Sequence, residues 1–401
     1  MAAALVAALA AATPGVAVAA VGSASGAYAT IDGSGSSWQA VAIDQWAEDL
    51  GSDRLTVTYN PDGSAAGRGD YLQGSQVDFA ASDVAFRNGH DKLGETGAEV
   101  PSYGYSYIPA VAGGIAFVYH LSVHGRPIRD LRLSARSLTG IFTGQITNWD
   151  SPQIARDNGR RLPDLRIVPV VRSDGAGTTF FFSDWLSVEF PRQWNAFCAR
   201  VTKGRVKPPC GTTEFYPVSG PGWHAKAESG ATAMADYVTS SQGNGAIGYV
   251  EYPYALAAKA AVATVGNPDG RYVLPTAASV TEALTRAVVD ENPRSAGYLQ
   301  EELAGVFASK NPISYPLSYY GYLIVPRAGT KLPPIVNRAV GRSLSAFVIF
   351  GLCKGQTQVA RLGYAPLPRN LVAAGLRQVV QIAGHIAVPP LAKCERAQSA
   401  V

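Results

Sequence analysis

The residues whose types and order carry most chemistry lie in one stretch, Val168-Pro169-Val170-Val171-Arg172-Ser173-Asp174-Gly175-Ala176-Gly177-Thr178-Thr179-Phe180. A β-branched run ends in an arginine and a tight Gly-x-Gly turn follows. The apolar spacing from Phe180 to Leu186 predicts a helix with Thr178 as a first-turn or capping residue. A strand that turns straight into a helix leaves several backbone N–H groups free and aimed at one point. Those groups and the positive end of the helix dipole attract anions. Arg172 adds a permanent charge and a fork of donors suited to a tetrahedral oxyanion. Taken alone, the stretch reads equally well as an ordinary βα turn with a surface Arg–Asp pair, because short glycine motifs are weak signals.

Other chemistries find little support. Gly33-Ser34-Gly35 lacks the third glycine of a nucleotide fingerprint, no strand is evident before it, and there is no P-loop lysine. No Gly-x-Ser-x-Gly nucleophile elbow occurs. His120 and His124 are four apart, a spacing that binds metal only on a helix. Here they follow an extended run and precede Gly125 and Pro127, so an exposed loop pair is expected. No carboxylate pair stands out as general acid and base. The pattern is that of a binder and not an enzyme, with no metal or cofactor expected. A net charge of +4 without a long like-charge block speaks against a nucleic-acid partner, and the basic patches Arg156–Arg166 and Arg200–Lys207 read as solvated loops.

The elements that must position these residues alternate between strand and helix, which argues for an α/β fold with a parallel sheet. Ile43, Trp46, Ala47 and Leu50 mark a helix that Gly51 closes, and Leu55–Tyr59 alternates as a strand. Asn60–Gly67 is a turn into a short helix, and Val77–Asp83 is a strand ending on Ser-Asp. Further on, Ile108–His120 reads as a crossover strand and Leu138–Gly144 as a short helix with a glycine stop. Ile247–Tyr252 and Tyr315–Val325 read as extended segments, and Val336–Leu352 and Leu371–Ile382 as helices. Trp185, Phe190, Trp194 and Phe197 are expected core aromatics. In open α/β sheets ligands bind outside the carboxyl ends of strands, so these small polar loops converge naturally on one small ligand.

With 401 residues, 47% of them hydrophobic, two or three domains are expected. Met1–Ile31 carries no charge, is rich in Ala and Val, and contains an Ala17-Val18-Ala19 cleavage pattern. The usual positive n-region is missing, which leaves an uncleaved anchor as the alternative, but Pro14 and Gly15 interrupt the run and favour a secretory leader. No cysteine stands directly after the apolar run, so a lipoprotein anchor is not supported. Four cysteines allow three pairings, and the local one, Cys198–Cys210 with Cys353–Cys394, is expected.

These motifs together resemble the phosphate-binding proteins of bacterial ABC transporters, within the type II periplasmic-binding-protein fold. The resemblance is carried by Gly33–Trp38, Asp62–Gly67, Val77–Asp83 and Arg172–Thr178. Leu138–Trp149, Gly245–Tyr252 and Leu362–Pro368 add to it. It implies a two-domain α/β fold with the ligand in a cleft between domains and a hinge of two crossovers. Residues 1–27 would be signal peptide and leader, 28–119 plus 322–401 one domain, and 120–321 the other. Both disulfides would then lie inside single domains.

The resemblance also implies a ligand set. Ser37 offers hydroxyl and backbone donors. Trp38 stands where the family usually has Phe and offers its N–H. Ser64 offers a hydroxyl, Asp83 accepts the ligand's proton, Arg172 is the charged donor held by Asp174, and Gly177 and Thr178 present N–H groups. Ala176 stands where the family usually has Ser. One hydroxyl is lost while the N–H remains, at a cost of about 0.5 to 1.5 kcal/mol, which leaves phosphate or a related oxyanion as ligand. The implied partners are inorganic phosphate and the permease of an importer, for a secreted or cell-surface monomer. An exported phosphate-ester hydrolase and a non-transport oxyanion sensor are the alternative uses of the same cleft.

Overall fold

In chain order, the main sheet takes β1 (Ile31–Gly35), β2 (Val57–Asn60), β3 (Phe79–Ser82), β4 (Tyr105–Tyr119), β5 (Val168–Arg172), β6 (Lys226–Glu228), β7 (Ala246–Glu251), β8 (Ala261–Val262) and β9 (Ser318–Pro326). This computed structural model describes residues 27–394 except 88, 95, 124, 293, 296 and 297. Almost all of the expected leader and His124 lie outside the described residues. Across the sheet the order is β6-β5-β7-β4-β9-β3-β1-β2, with β8 also on β4.

Each flank of the sheet is parallel, as the strand–helix alternation predicts: β2-β1-β3 on one side and β7-β5-β6 on the other. The centre is not. β4 runs antiparallel to both β9 and β7, and β9 runs antiparallel to β3. The reason is the reach of β4. Its residues up to Gly114 pair with β9, and from Ile115 onward they pair with β7, so one long strand joins the two parallel flanks. All of β4 after Tyr105 is buried, which explains its nearly unbroken apolar sequence. The loop Leu362–Pro368 lies along β4 through paired backbone bonds between Ala112 and Ala365.

The helices that matter below are α1 (Ser37–Gly51), α2 (Ser64–Gln73), α3 (Ala135–Phe142), α4 (Gly177–Glu189), α5 (Pro191–Val201), α6 (Gly230–Thr239), α7 (Tyr252–Ala257), α8 (Arg338–Leu352) and α9 (Arg369–Val379). On one flank Trp46 of α1 packs edge-on to Phe347 of α8, which also meets Phe79 of β3. On the other, Phe117, Phe142, Phe182 and Tyr249 form one aromatic cluster. Trp185, Trp194 and Phe197 are buried as expected, with Phe190 partly buried beside them. Cys198 joins Cys210 and Cys353 joins Cys394, with Cα atoms 6.2 and 4.5 Å apart. Among the described residues no helix is long and apolar enough to cross a membrane.

The expected gap before Gly33-Ser34-Gly35 is itself the strand β1. Glycine and serine are poor strand formers, but a Cβ on Gly33 would sit 2.2 Å from the ring of Phe79. The neighbouring strand's aromatic side chain claims that space.

Helix α2 provides a paired test of this packing. A Cβ on Gly67 would lie 2.5 Å from the Cα of Gly35 and 2.7 Å from the carbonyl of Ser34, whereas one on Gly69 meets nothing within 4 Å. In thermal or denaturant unfolding, Gly69→Ala is expected to stabilise by about 0.5 to 1 kcal/mol. Gly67→Ala is expected to destabilise by about 1 to 3 kcal/mol. Equal effects would show that α2 does not dock on β1 this closely.

Candidate functional site

The carboxyl ends of β1, β3 and β5 and the start of α2 after β2 meet at one place. At the end of β1, Ser36 caps α1. Its hydroxyl accepts from the Gln39 N–H (3.3 Å) and donates to Asp83 (2.7 Å). Asp83, at the end of β3, is 1% exposed. Its Oδ1 accepts from Ser36 and from Gln39 Nε2 (3.1 Å), and its Oδ2 accepts from the Ser64 hydroxyl (3.1 Å) at the start of α2. Burial pushes this carboxyl up. The Ser36 hydrogen bond pulls it back, the negative charge of Glu251 adds to the rise, and the balance is about 7.

Facing Asp83 is the first turn of α4. A Cβ on Gly177 would sit 2.3 Å from Asp83 Oδ2, so only glycine lets the helix start this close to the carboxylate. The first N–H groups of a helix have no partner within it. Arg172, at the end of β5, is buried. Its Nε donates to Asp174 Oδ1 (2.8 Å), and its Nη2 donates both to Asp174 Oδ2 and to the Ser37 hydroxyl (3.2 Å). Burial alone would lower the Arg172 pKa, but the hydrogen bonds and charge of Asp174, with the charge of Glu251, raise it overall. Asp174 is correspondingly lowered, since Arg172 outweighs its burial. Asp174 also accepts from the Gly230 N–H (2.9 Å) at the start of α6, which fixes the guanidinium from behind.

The structure thus brings Ser37, Ser64, Asp83, Arg172, Gly177 and Thr178 together, with Asp174 supporting. Trp38 stands in the first turn of α1, its ring 4.4 Å from that of Tyr319 and its carbonyl accepting from the Tyr364 hydroxyl. Ala176 is placed differently from the expectation of an available N–H. As the extended residue before α4, it turns its N–H to the Glu214 carbonyl (3.1 Å). The Thr178 hydroxyl donates to Glu251.

Sequence reasoning missed four participants. Ser36 and Gln39 form a Ser-x-x-Gln capping-box pattern that was legible. Here, however, Gln39 reaches Asp83 and the Tyr322 carbonyl (3.3 Å) instead of the cap N–H. Glu251 ends β7, inside the Gly245–Tyr252 run. Arg68 of α2 is fully buried between Glu99 (2.8 Å) and Glu214 (3.0 Å), so α2 is tied to the segment just before Tyr216. Asp83 also borders a cavity of about 260 Å³ walled by Arg87, His90, Glu301 and Tyr322. Arg172, Ser37 and Thr178 do not line that cavity, so the convergent donors, and not the cavity, define the site. His120, the other half of the considered metal pair, holds its ring against the carbonyls of Val238 and Ser240 (3.2 and 3.1 Å).

Residues 20–350 match the family model described as the PBP superfamily domain. The phosphate-binding protein PstS of Xylella fastidiosa (strain Temecula1) is 30% identical over 344 residues, covering 85% of this chain and 82% of that protein. The phosphate-binding protein PstS of Pasteurella multocida is 29% identical over 346 residues, covering 86% and 88%. Two solved structures share the fold. One is a high-affinity periplasmic phosphate-binding protein bound with phosphate (TM-score 0.63, 20% identity, 89% of this chain and 97% of that one). The other is a phosphate-binding protein from Stenotrophomonas maltophilia (TM-score 0.59, 18% identity, 91% and 98%).

The raised Asp83 carboxyl sets a pH dependence. Between the unfolded value near 4 and the folded value of about 7, the folded protein binds more protons, so stability falls as pH rises through that window. Replacing Asp83 with Asn removes this contribution. From pH 4 to 7 the variant is expected to lose less stability than wild type, by up to about 3 kcal/mol. Parallel profiles in denaturant titrations would show that Asp83 is not titrating in a buried setting.

Proposed function

We propose that this chain, which belongs to the PBP superfamily and within it to the PstS phosphate-binding proteins, binds inorganic phosphate outside the cytoplasm and delivers it to the permease of an ABC importer. The family is one of substrate-binding proteins of transporters and not of enzymes. One observation carries the phosphate reading. A fully buried carboxylate, Asp83, faces a helix start at Gly177 in the same cluster as a buried arginine. A carboxylate beside anion donors is repulsive unless the anion brings a proton. Phosphate near neutral pH carries one or two, and sulfate carries none.

In this reading Arg172 supplies the charge and Asp174 aims it. Gly177, Thr178, Ser37 and Trp38 supply N–H groups from two helix starts. Ser37, Ser64 and Thr178 add hydroxyls, which exchange protein carboxylate or guanidinium partners for ligand oxygens. Asp83 accepts the ligand's proton. Ala176 contributes the approach of its backbone and not a free donor. The chain divides into residues 28–119 plus 322–401 and residues 120–321, crossing near Tyr119 and Tyr322. Closure about those crossings buries the ligand and presents a surface to the permease. The pairing of β4 with β9 and then β7 supports a junction that both halves share. Both disulfides stay within one half each. Export by the segment 1–27 and a monomeric state complete the proposal.

Two measurements test it. By calorimetric titration, Arg172→Ala is expected to weaken phosphate binding by about 2 to 5 kcal/mol, because the anion loses its buried partner. Near-unchanged affinity would remove Arg172 from the site. In competition titrations at one pH and salt, wild type is expected to take phosphate and ignore sulfate. Asp83→Asn, which can donate to a fully ionised oxyanion, is expected to bind sulfate measurably better. Wild type that takes sulfate as readily as phosphate would refute the proton-acceptor role.

A further inference from the structure

A second buried carboxylate sits in this cluster. Glu251 ends β7 and is 1% exposed. Its Oε1 accepts from the Thr178 hydroxyl and lies 3.9 Å from Arg172 Nη1. Its Oε2 is buried and has no hydrogen-bond partner among the described residues. The groups around it are Arg172 and Asp174 at the end of β5, Asp83 after β3, Tyr254 on α7, Tyr319 on β9 and Tyr364 in the loop before α9. With every carboxyl ionised, Arg172 is, among the described residues of this cluster, the one cation set against Asp174, Asp83 and Glu251, and an incoming anion would meet a net negative site. A bare, buried, ionised oxygen is itself costly.

From this geometry, and resting on the phosphate reading above, we infer that Glu251 enters the complex as a neutral carboxylic acid whose Oε2 donates a hydrogen bond to the bound oxyanion, so that binding is coupled to a proton held on Glu251. The proton comes from solvent, no covalent bond to the ligand forms, and the acid form turns an orphan acceptor into a donor while removing one negative charge. A carboxyl kept neutral in a dry site to donate a hydrogen bond is an established chemical device. Burial pushes the Glu251 carboxyl up, against the opposing pull of Arg172 and Thr178, which agrees with this role. Glu251 would thereby be a specificity-determining residue that Asp83 complements: one carboxyl accepts a proton from the ligand and the other donates one to it.

The test is calorimetric phosphate titration of the intact protein from pH 5.5 to 9.5, comparing wild type, Glu251→Gln and Glu251→Leu. Gln keeps a neutral donor, and Leu keeps only the volume. At pH 6, Gln is expected to bind within about threefold of wild type and Leu about tenfold or more weaker. As pH rises, wild-type affinity is expected to fall relative to Gln, with proton uptake on binding (read from heats in two buffers) greater in wild type. Parallel wild-type and Gln profiles would overturn the inference while leaving the phosphate reading intact. A tenfold loss in Gln at pH 6, or a Leu variant that binds like wild type, would do the same. Wild type that binds no phosphate at any pH overturns the function reading and this inference with it.

Discussion

The arrangement depends on a carboxylate held where electrostatics disfavours it. Asp83 is buried at the end of β3, three side-chain donors converge on it, and the start of α4 lies against it. The donors come from separate elements: Ser36 and Gln39 from the cap and first turn of α1, and Ser64 from α2. Register makes this possible. Gly35 of β1 lies opposite Ala81 of β3, so the residues just past each strand end are neighbours. Gly321 in the middle of β9 lets Gln39 and Asp83 pack against that strand, since a Cβ there would sit 2.4 Å from Gln39 Nε2.

Around this point the protein balances buried charges in clusters, not in isolated pairs. Arg172 sits between Asp174 and Glu251, and Arg68 between Glu99 and Glu214. Buried ion pairs contribute little net stability, because desolvation offsets most of the attraction, but breaking one leaves the other partner stranded. Their value here is geometric. Arg68 ties α2 to residue 214, whose carbonyl holds the N–H of Ala176 immediately before α4. The loop that starts α4 is therefore set from both sides: by Asp174 on Arg172 and by Glu214 on Ala176.

Much of this was legible in the sequence because it is local. The strand, arginine, Gly-x-Gly turn and helix from Val168 to Phe180 fold as their pattern predicts, since each step depends on neighbours within a few residues. The same holds for the Ser-Asp end of β3 and for the two local disulfides. What was not legible depends on distant partners. The direction of β4 and β9 is set by pairing across some two hundred residues and leaves no local mark. β1 is a strand despite Gly33-Ser34-Gly35 because Phe79 fills the space above it. Ala176 read as a site donor because sequence spacing does not show which carbonyl an N–H will face. Glu251 was in view within a matching run, but its role appears only once β7 is seen to end beside Arg172 and Thr178.

The most direct measurement is a crystal structure of the protein grown with phosphate at neutral pH. A tetrahedral anion is expected among Ser37, Ser64, Arg172 and the first turn of α4, with one oxygen within hydrogen-bonding distance of an Asp83 carboxylate oxygen. An anion bound elsewhere, or one held at Arg172 with Asp83 turned away from it, would contradict the claim that a buried carboxylate selects the ligand by the proton it carries.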